Sequence, residues 1–194
     1  MKENIPNVSL KRGTLKIIGG EWRSRQIDVL DAEGLRPTPN RVRETLFNWL
    51  QSDVFNSRCL DLFAGSGALS FEAASRGAKS VIQIENNAAA CGALKRNTEK
   101  LAASQIQMTQ SDVLAYLAKP PANPFDIVFI DPPFGLGLVA QSCALLEKNL
   151  WLAPYAKIYV ETETTLTLDD LPERWHLLKS KIAGEVAYRL FEVR

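Results

Sequence analysis

From Arg58 onward, short apolar runs alternate with stretches of helical periodicity, and this alternation limits the possible folds more than any other feature of the chain. It is the pattern of βαβ units, whose parallel strands are buried on both faces and so read as dense Val, Ile, Leu and Phe. Strands are expected at Cys59–Phe63, Val81–Ile84, Ile106–Thr109, Phe125–Ile130 and Ile158–Glu161, with helices near 67–76, 87–101, 112–118 and 137–149. Trp175–Ile182 and Val186–Val193, divided by Ala183-Gly184-Glu185, predict an antiparallel pair at the end of the chain. Ahead of these units, residues 14–18 and 25–30 flank Gly19-Gly20 and predict a small hairpin. Gly34 to Asn40 reads as a Pro- and Gly-containing loop, after which Asn40 would cap a helix carrying Val42, Leu46, Phe47, Trp49 and Leu50 on one side. The expected organisation is an N-terminal hairpin and helix extension over 1–52, followed by an α/β domain over 53–194.

Composition removes several classes of function. Cys59, Cys91 and Cys143 are odd in number, far apart and set in apolar or helical stretches, so buried free thiols are expected. With a single histidine, His176, no zinc site and no Ser-His-Asp triad has its parts, and no metal is expected. No apolar run approaches the roughly 20 residues of a membrane span, and the opening Met1 to Pro6 lacks the core of a secretory signal; a cytoplasmic monomer is the expectation. The net charge of +1 hides an asymmetry, since residues 11–43 hold eight Lys or Arg against four Asp or Glu. Such a cluster suits a polyanion, although a solvated basic face is the plainer alternative.

Asp61-Leu62-Phe63-Ala64-Gly65-Ser66-Gly67 falls where the first parallel strand should give way to a helix, the position at which open α/β sheets bind ligands. Gly65 and Gly67 permit a sharp turn and a close backbone approach. Glu85, with Asn86 beside it, follows Gly65 by twenty residues at the end of the second strand, where a carboxylate accepts hydrogen bonds from ribose hydroxyls. An adenosine-containing ligand is implied. Asp61 argues against a dinucleotide, because a carboxylate repels a pyrophosphate and attracts the ammonium of S-adenosylmethionine; Ser70 also replaces the third glycine of the dinucleotide fingerprint. Asp112, next to Val113, could accept from the adenine amine or cap the following helix, and the two roles are compatible.

The apolar strand Phe125–Ile130 runs directly into Asp131-Pro132-Pro133-Phe134. Consecutive prolines fix φ and remove two backbone donors, leaving the neighbouring carbonyls free to face a ligand. Phe134 offers a flat face for a base, worth on the order of 1–3 kcal/mol when stacked. An exocyclic base amine is a weak nucleophile because its lone pair is delocalised into the ring. Acceptors on Asp131 and the Pro132 carbonyl would hold it toward a sulfonium methyl, with positioning expected to outweigh basicity because an ordinary Asp pKa lies near 3.9. The structural alternative is a strand-ending turn with Phe134 in the core.

With Asp61–Gly67, Glu85 and Asp131–Phe134 in this order, the chain resembles the class I S-adenosylmethionine-dependent methyltransferases that modify amino groups. That resemblance implies a Rossmann-like, seven-stranded, mostly parallel sheet with helices on both faces and an antiparallel last strand. Leu15 to Gly20, Gly34 to Thr38 and Arg41 to Phe47 narrow it, being similar to the bacterial 16S rRNA guanine-N2 methyltransferase D family. The implied substrate is one guanine of 16S rRNA within a small-subunit ribosomal particle, and the implied methyl donor is S-adenosyl-L-methionine. Arg23, Arg25, Arg36, Thr38, Arg41 and Arg43 are then the expected RNA contacts, since phosphate binding positions a nucleic acid without reading it. A DNA adenine-N6 or protein glutamine methyltransferase and a non-catalytic RNA-binding or assembly protein are the competing expectations.

Overall fold

A computed structural model describes residues 12–30, 38–168 and 170–194. Strand β1 (Arg12–Lys16) pairs antiparallel with β2 (Gln26–Leu30), forming the expected hairpin. The helix α1 (Asn40–Trp49) leads into β3 (Arg58–Asp61), α2 (Ala68–Ser75), β4 (Ser80–Glu85), α3 (Ala88–Leu101), β5 (Ile106–Gln110), α4 (Val113–Leu117), β6 (Phe125–Ile130), α5 (Leu138–Lys148) and β7 (Leu152–Glu163). The chain ends in β8 (Trp175–Ala183) and β9 (Val186–Val193). Seven strands form one sheet in the order β5-β4-β3-β6-β7-β9-β8, with β9 inserted antiparallel between β7 and β8. The parallel βαβ sheet expected from the alternation of runs, in the Rossmann-like, seven-stranded form that the resemblance implies, is the fold observed. No described helix is long and apolar enough to cross a membrane.

The two faces of the sheet carry separate cores. On the first, Cys59, Ile127, Phe129, Tyr159 and Tyr188 meet side chains of the hairpin, α1, α2 and α3, including Ile17, Trp22, Ile27, Phe47, Phe71 and Leu94. On the second, Leu60, Val128, Ile130, Ile158 and Phe191 meet α4 and α5 through Leu117, Val139 and Leu146. Fully burying a side chain such as Phe47 or Phe71 stabilises the fold by roughly 1.5–3 kcal/mol. Among the described residues no helix follows β7; Leu166, Leu168 and Leu171 of the connecting segment pack on the second core instead.

The extension is strapped to the domain by polar contacts as well. Gly20 has φ +76 and lies so close to α2 that a Cβ there would meet the Ser75 carbonyl oxygen at 1.9 Å. The adjoining Glu21 and Trp22 amides donate to the Ser75 carbonyl and hydroxyl at 2.8 and 2.9 Å. Buried Asn97 of α3 completes the dock, exchanging two hydrogen bonds with the Asp28 backbone on β2.

Two expectations change in detail, and a third lies partly outside the described residues. Asn40 does not cap α1: Pro39 occupies the cap position, and the Asn40 side-chain oxygen accepts from the Arg43 guanidinium. Strand β7 begins six residues earlier than expected, because Pro154 and a positive φ at Tyr155 form an irregularity that the strand absorbs as a register shift opposite β6. The part of the expected Gly34–Asn40 loop before Thr38, Arg36 included, lies outside the described residues.

Candidate active site

Parallel strands entering from one side end on one rim of the sheet. Here β3 ends at Asp61, β4 at Glu85, β5 just before Ser111-Asp112 and β6 just before Asp131, so the four sequence segments converge there. The glycine loop and the Pro-Pro turn leave adjacent strands: Asp61 is in register with Phe129, and the Leu62 amide donates to the Phe129 carbonyl at 3.1 Å.

The loop is built by its own residues. Gly67 caps α2 at φ +77, and a Cβ there would lie 2.5 Å from the Phe71 ring and 2.7 Å from Leu94, so both conformation and space demand glycine. The Ala64 amide bonds the Ile84 carbonyl at 3.0 Å, and the Ser66 hydroxyl accepts weakly from the Ala68 amide. Asp61 is 2% exposed and accepts from the Ser70 hydroxyl, which explains why a serine stands where a dinucleotide fold has its third glycine. Burial pushes the Asp61 carboxyl up to about 6, against the lowering effect of its hydrogen bonds from Ser70 and Phe63.

The spacing of Gly65 and Glu85 becomes a direct contact. The Gly65 amide donates to Glu85 Oε2 and the Asn87 amide to Oε1, each at 2.8 Å, so the half-buried carboxylate is fixed at the rim with lone pairs left for a diol. Asp112 accepts from the Ala115 amide at 2.9 Å and is the N-cap of α4; its side chain is exposed, and the second oxygen remains available to an amine. Asn86 is exposed beside Glu85, Val113 is buried in the second core, and Phe63 packs against that core. This set of acceptors suits the ribose and adenine of S-adenosylmethionine.

Asp131 extends the row of β6 side chains that includes Ile127 and Phe129, so it faces the first core, as Asp61 does. The register Phe129 to Tyr159 and Ile130 to Val160 brings Glu161 of β7 alongside it. Desolvation, then the charges of Glu161 and Asp61, raise the Asp131 carboxyl well above the usual carboxylate range, while the Thr38 hydroxyl, donating to it, acts in the opposite sense. Asp131 is therefore a better proton acceptor than its residue type suggested. Glu161 is 5% exposed and accepts from the Tyr159 hydroxyl at 2.7 Å; burial raises its carboxyl too. Pro132 is buried, Pro133 exposed, and Phe134 remains 44% exposed.

The expected RNA contacts divide. Arg23 and Arg41 are exposed, and exposed Arg25 donates to the Lys100 carbonyl at 2.9 Å. Arg43 is corrected: it is wholly buried, lies 3.6 Å from Glu72, donates to the Lys16 carbonyl at 3.1 Å, and cannot reach a phosphate. Thr38 is corrected in its placing: it is buried against Asp131 at the rim of the sheet and not among the exposed basic side chains. Sequence reasoning missed Glu161 and Tyr159. The signal was present as a carboxylate closing an apolar strand, Ile158-Tyr159-Val160-Glu161, in a sheet expected to be covered on both faces. A cleft of about 520 Å³ lined by Ile82, Tyr116, Phe125 and Trp151 lies elsewhere, toward the amino ends of β3, β4 and β6.

Comparison with known proteins bears on this geometry. A family model described as conserved hypothetical protein 95 matches residues 15–192. Ribosomal RNA small subunit methyltransferase D of Haemophilus influenzae is 48% identical over 194 residues, covering 98% of each chain. The protein of the same name from Escherichia coli K12 is 47% identical over 180 residues, 93% of this chain and 90% of that one. The solved structure of the Escherichia coli yhhF protein superposes with a TM-score of 0.86 at 46% identity, over 94% of this chain and 99% of that one.

Proposed function

We propose that this chain, which belongs to the conserved hypothetical protein 95 family together with the ribosomal RNA small subunit methyltransferases D, moves a methyl group from S-adenosyl-L-methionine to the exocyclic N2 amine of a guanine in 16S rRNA. The observation that carries the reading is the placing of Asp131 on the same sheet face and rim as the glycine loop, with its carboxyl pushed up by burial and by two neighbouring acids. The methyl donor supplies an electrophilic carbon on a sulfonium, and its C–S bond breaks as the N–C bond forms.

The chain's residues act on the amine. Asp131 and the Pro132 carbonyl each accept one N–H, which fixes the nitrogen with its remaining face toward the donor. As positive charge develops on nitrogen, Asp131 takes up the displaced proton, a role suited to a carboxylate that burial and neighbouring acids hold above the usual range. Phe134, partly exposed, stacks on the base, and a base that must leave its helix to do so is most easily drawn from unpaired RNA. Glu85 and Asp112 receive the ribose and adenine of the donor. Arg23 and Arg41 contact phosphates of an assembled or assembling small-subunit particle in the cytoplasm.

Labelled donor offered to small-subunit particles from cells lacking the protein, then nucleoside mass spectrometry, tests this: one N2-methylguanosine is expected. Label appearing only in DNA or only in protein would reject the substrate class. Changing Arg23 and Arg41 together to Ala should weaken binding to RNA about tenfold and lower the salt slope by about two. A slope equal to that of the unaltered protein would move the phosphate contacts elsewhere.

A further inference from the structure

Guanine and adenine both carry an exocyclic amine, but the atom beside it differs. Guanine N2 adjoins N1–H, a donor; adenine N6 adjoins N1, an acceptor, and cytosine N4 adjoins N3, another acceptor. An amine-holding site therefore selects guanine if a second acceptor stands next to the first. Asp131 and Glu161 are such a pair. They follow in-register residues on adjacent parallel strands, whose backbones lie about 4.8 Å apart, and both face the first core.

Glu161 has features that a merely structural acid lacks. Buried Glu72 is met by Arg43 and Arg76, and by the amides of Ile18 and Gly19. Glu161 is equally covered, yet no described Lys or Arg pairs with it. Its one hydrogen bond among the described residues comes from Tyr159, which engages Oε1 and orients the carboxylate; none engages Oε2. An N–H from the substrate would meet Oε2 without first displacing a bond from any described residue.

Resting on the reading of the site as a guanine-N2 methyltransferase, we propose that Glu161 sets base specificity: Oε2 accepts the N1–H of the extruded guanine while Asp131 and the Pro132 carbonyl hold its N2 amine. An adenine or cytosine presented to the same pair would set a ring-nitrogen lone pair against the carboxylate. Sites that hydrogen-bond a substrate N–H reject analogues lacking it far more strongly than apolar pockets reject a missing methyl.

The test removes N1–H, and O6 with it, while keeping the N2 amine, so the Glu161→Gln arm is what isolates N1. After the methylated guanine has been mapped with the unaltered enzyme, particles are assembled on ligated 16S rRNA bearing either guanine or 2-aminopurine at that position. The unaltered enzyme should favour guanine by about 100-fold or more in kcat/KM. In Glu161→Gln the amide can donate to N1, so the preference should fall to about tenfold or less while affinity for S-adenosylmethionine is unchanged. Equal use of both particles by the unaltered enzyme overturns the proposal without recourse to a variant. Retention of the full preference by Glu161→Gln also overturns it, and leaves the guanine-N2 reading standing. Failure to methylate guanine at all would instead remove that reading, and this inference with it.

Discussion

The two faces of the central sheet are made of the same strands and have opposite chemistry. The face under α4 and α5 is packed almost entirely by aliphatic and aromatic side chains, Leu60, Leu62, Val128, Ile130 and Ile158 among them. The face under the hairpin, α1, α2 and α3 buries Arg43, Asp61, Glu72 and Glu161, together with Asn97 and Gln83. Because side chains alternate across a strand, neighbouring residues serve the two faces in turn, and Leu60 and Asp61 show the division within one dipeptide. One face supplies stability from apolar burial. The other combines stability with charge placed at the rim of the candidate site, and buried charge of this kind is held only by specific partners.

Altering single residues on each face tests that division. The largest effect is expected at the rim: Asp131→Ala should lower methyl transfer by about 10³- to 10⁴-fold with donor affinity retained, read by single-turnover assay and calorimetric titration. Unchanged turnover would take Asp131 out of the mechanism. Next is Glu72→Ala, which strands Arg43 and removes the acceptor of two hairpin amides. Denaturant unfolding should show a loss of about 3–5 kcal/mol, and a loss below 1 kcal/mol would mean the charged pin contributes little.

Asp61 gives an effect that depends on pH. Its folded-state value of about 6 lies above the ordinary 3.8, so the folded protein holds this proton more tightly and loses stability as pH rises from about 4 to about 6. Asp61→Asn keeps an acceptor for Ser70 without the charge, so its stability relative to the unaltered protein should climb across that window by up to about 3 kcal/mol. Parallel stability curves from pH 4 to 7 would show the carboxylate to be unperturbed. The smallest effect belongs to the second face: Ser142 of α5 is buried with no partner for its hydroxyl among the described residues, so Ser142→Ala should change stability by less than about 1 kcal/mol. A larger loss would reveal polar bonding within the apolar face.

Much of the fold was legible because parallel strands buried on both sides leave a strong pattern, and Phe125–Ile130 was read with the limits it has. The limits of β7 were not, since Pro154 interrupts the run although the strand passes through it. Of the candidate site, the segments that meet at the rim of the sheet were visible as motifs: Asp61–Gly67, Glu85 and Asp131–Phe134 carry glycine, proline and acid at telling positions. The arginines were not sorted. Arg41 and Arg43 stand two apart on one helix, one exposed and one wholly buried, and composition treats them alike.

What the order of residues determined by itself is local: hydrophobic period, turn chemistry and the strand ends at which ligands gather, all of which depend on neighbours a few positions away. What only the tertiary structure decided is which charges meet. Glu72 finds Arg43 twenty-nine positions earlier in the chain, and Asp131 finds Glu161 across a strand register and Thr38 from the extension. Electrostatic character depends on distance and desolvation, which are properties of the packed sheet and not of any segment, so the same carboxylate is a surface charge in the unfolded chain and a poised acceptor in the folded one.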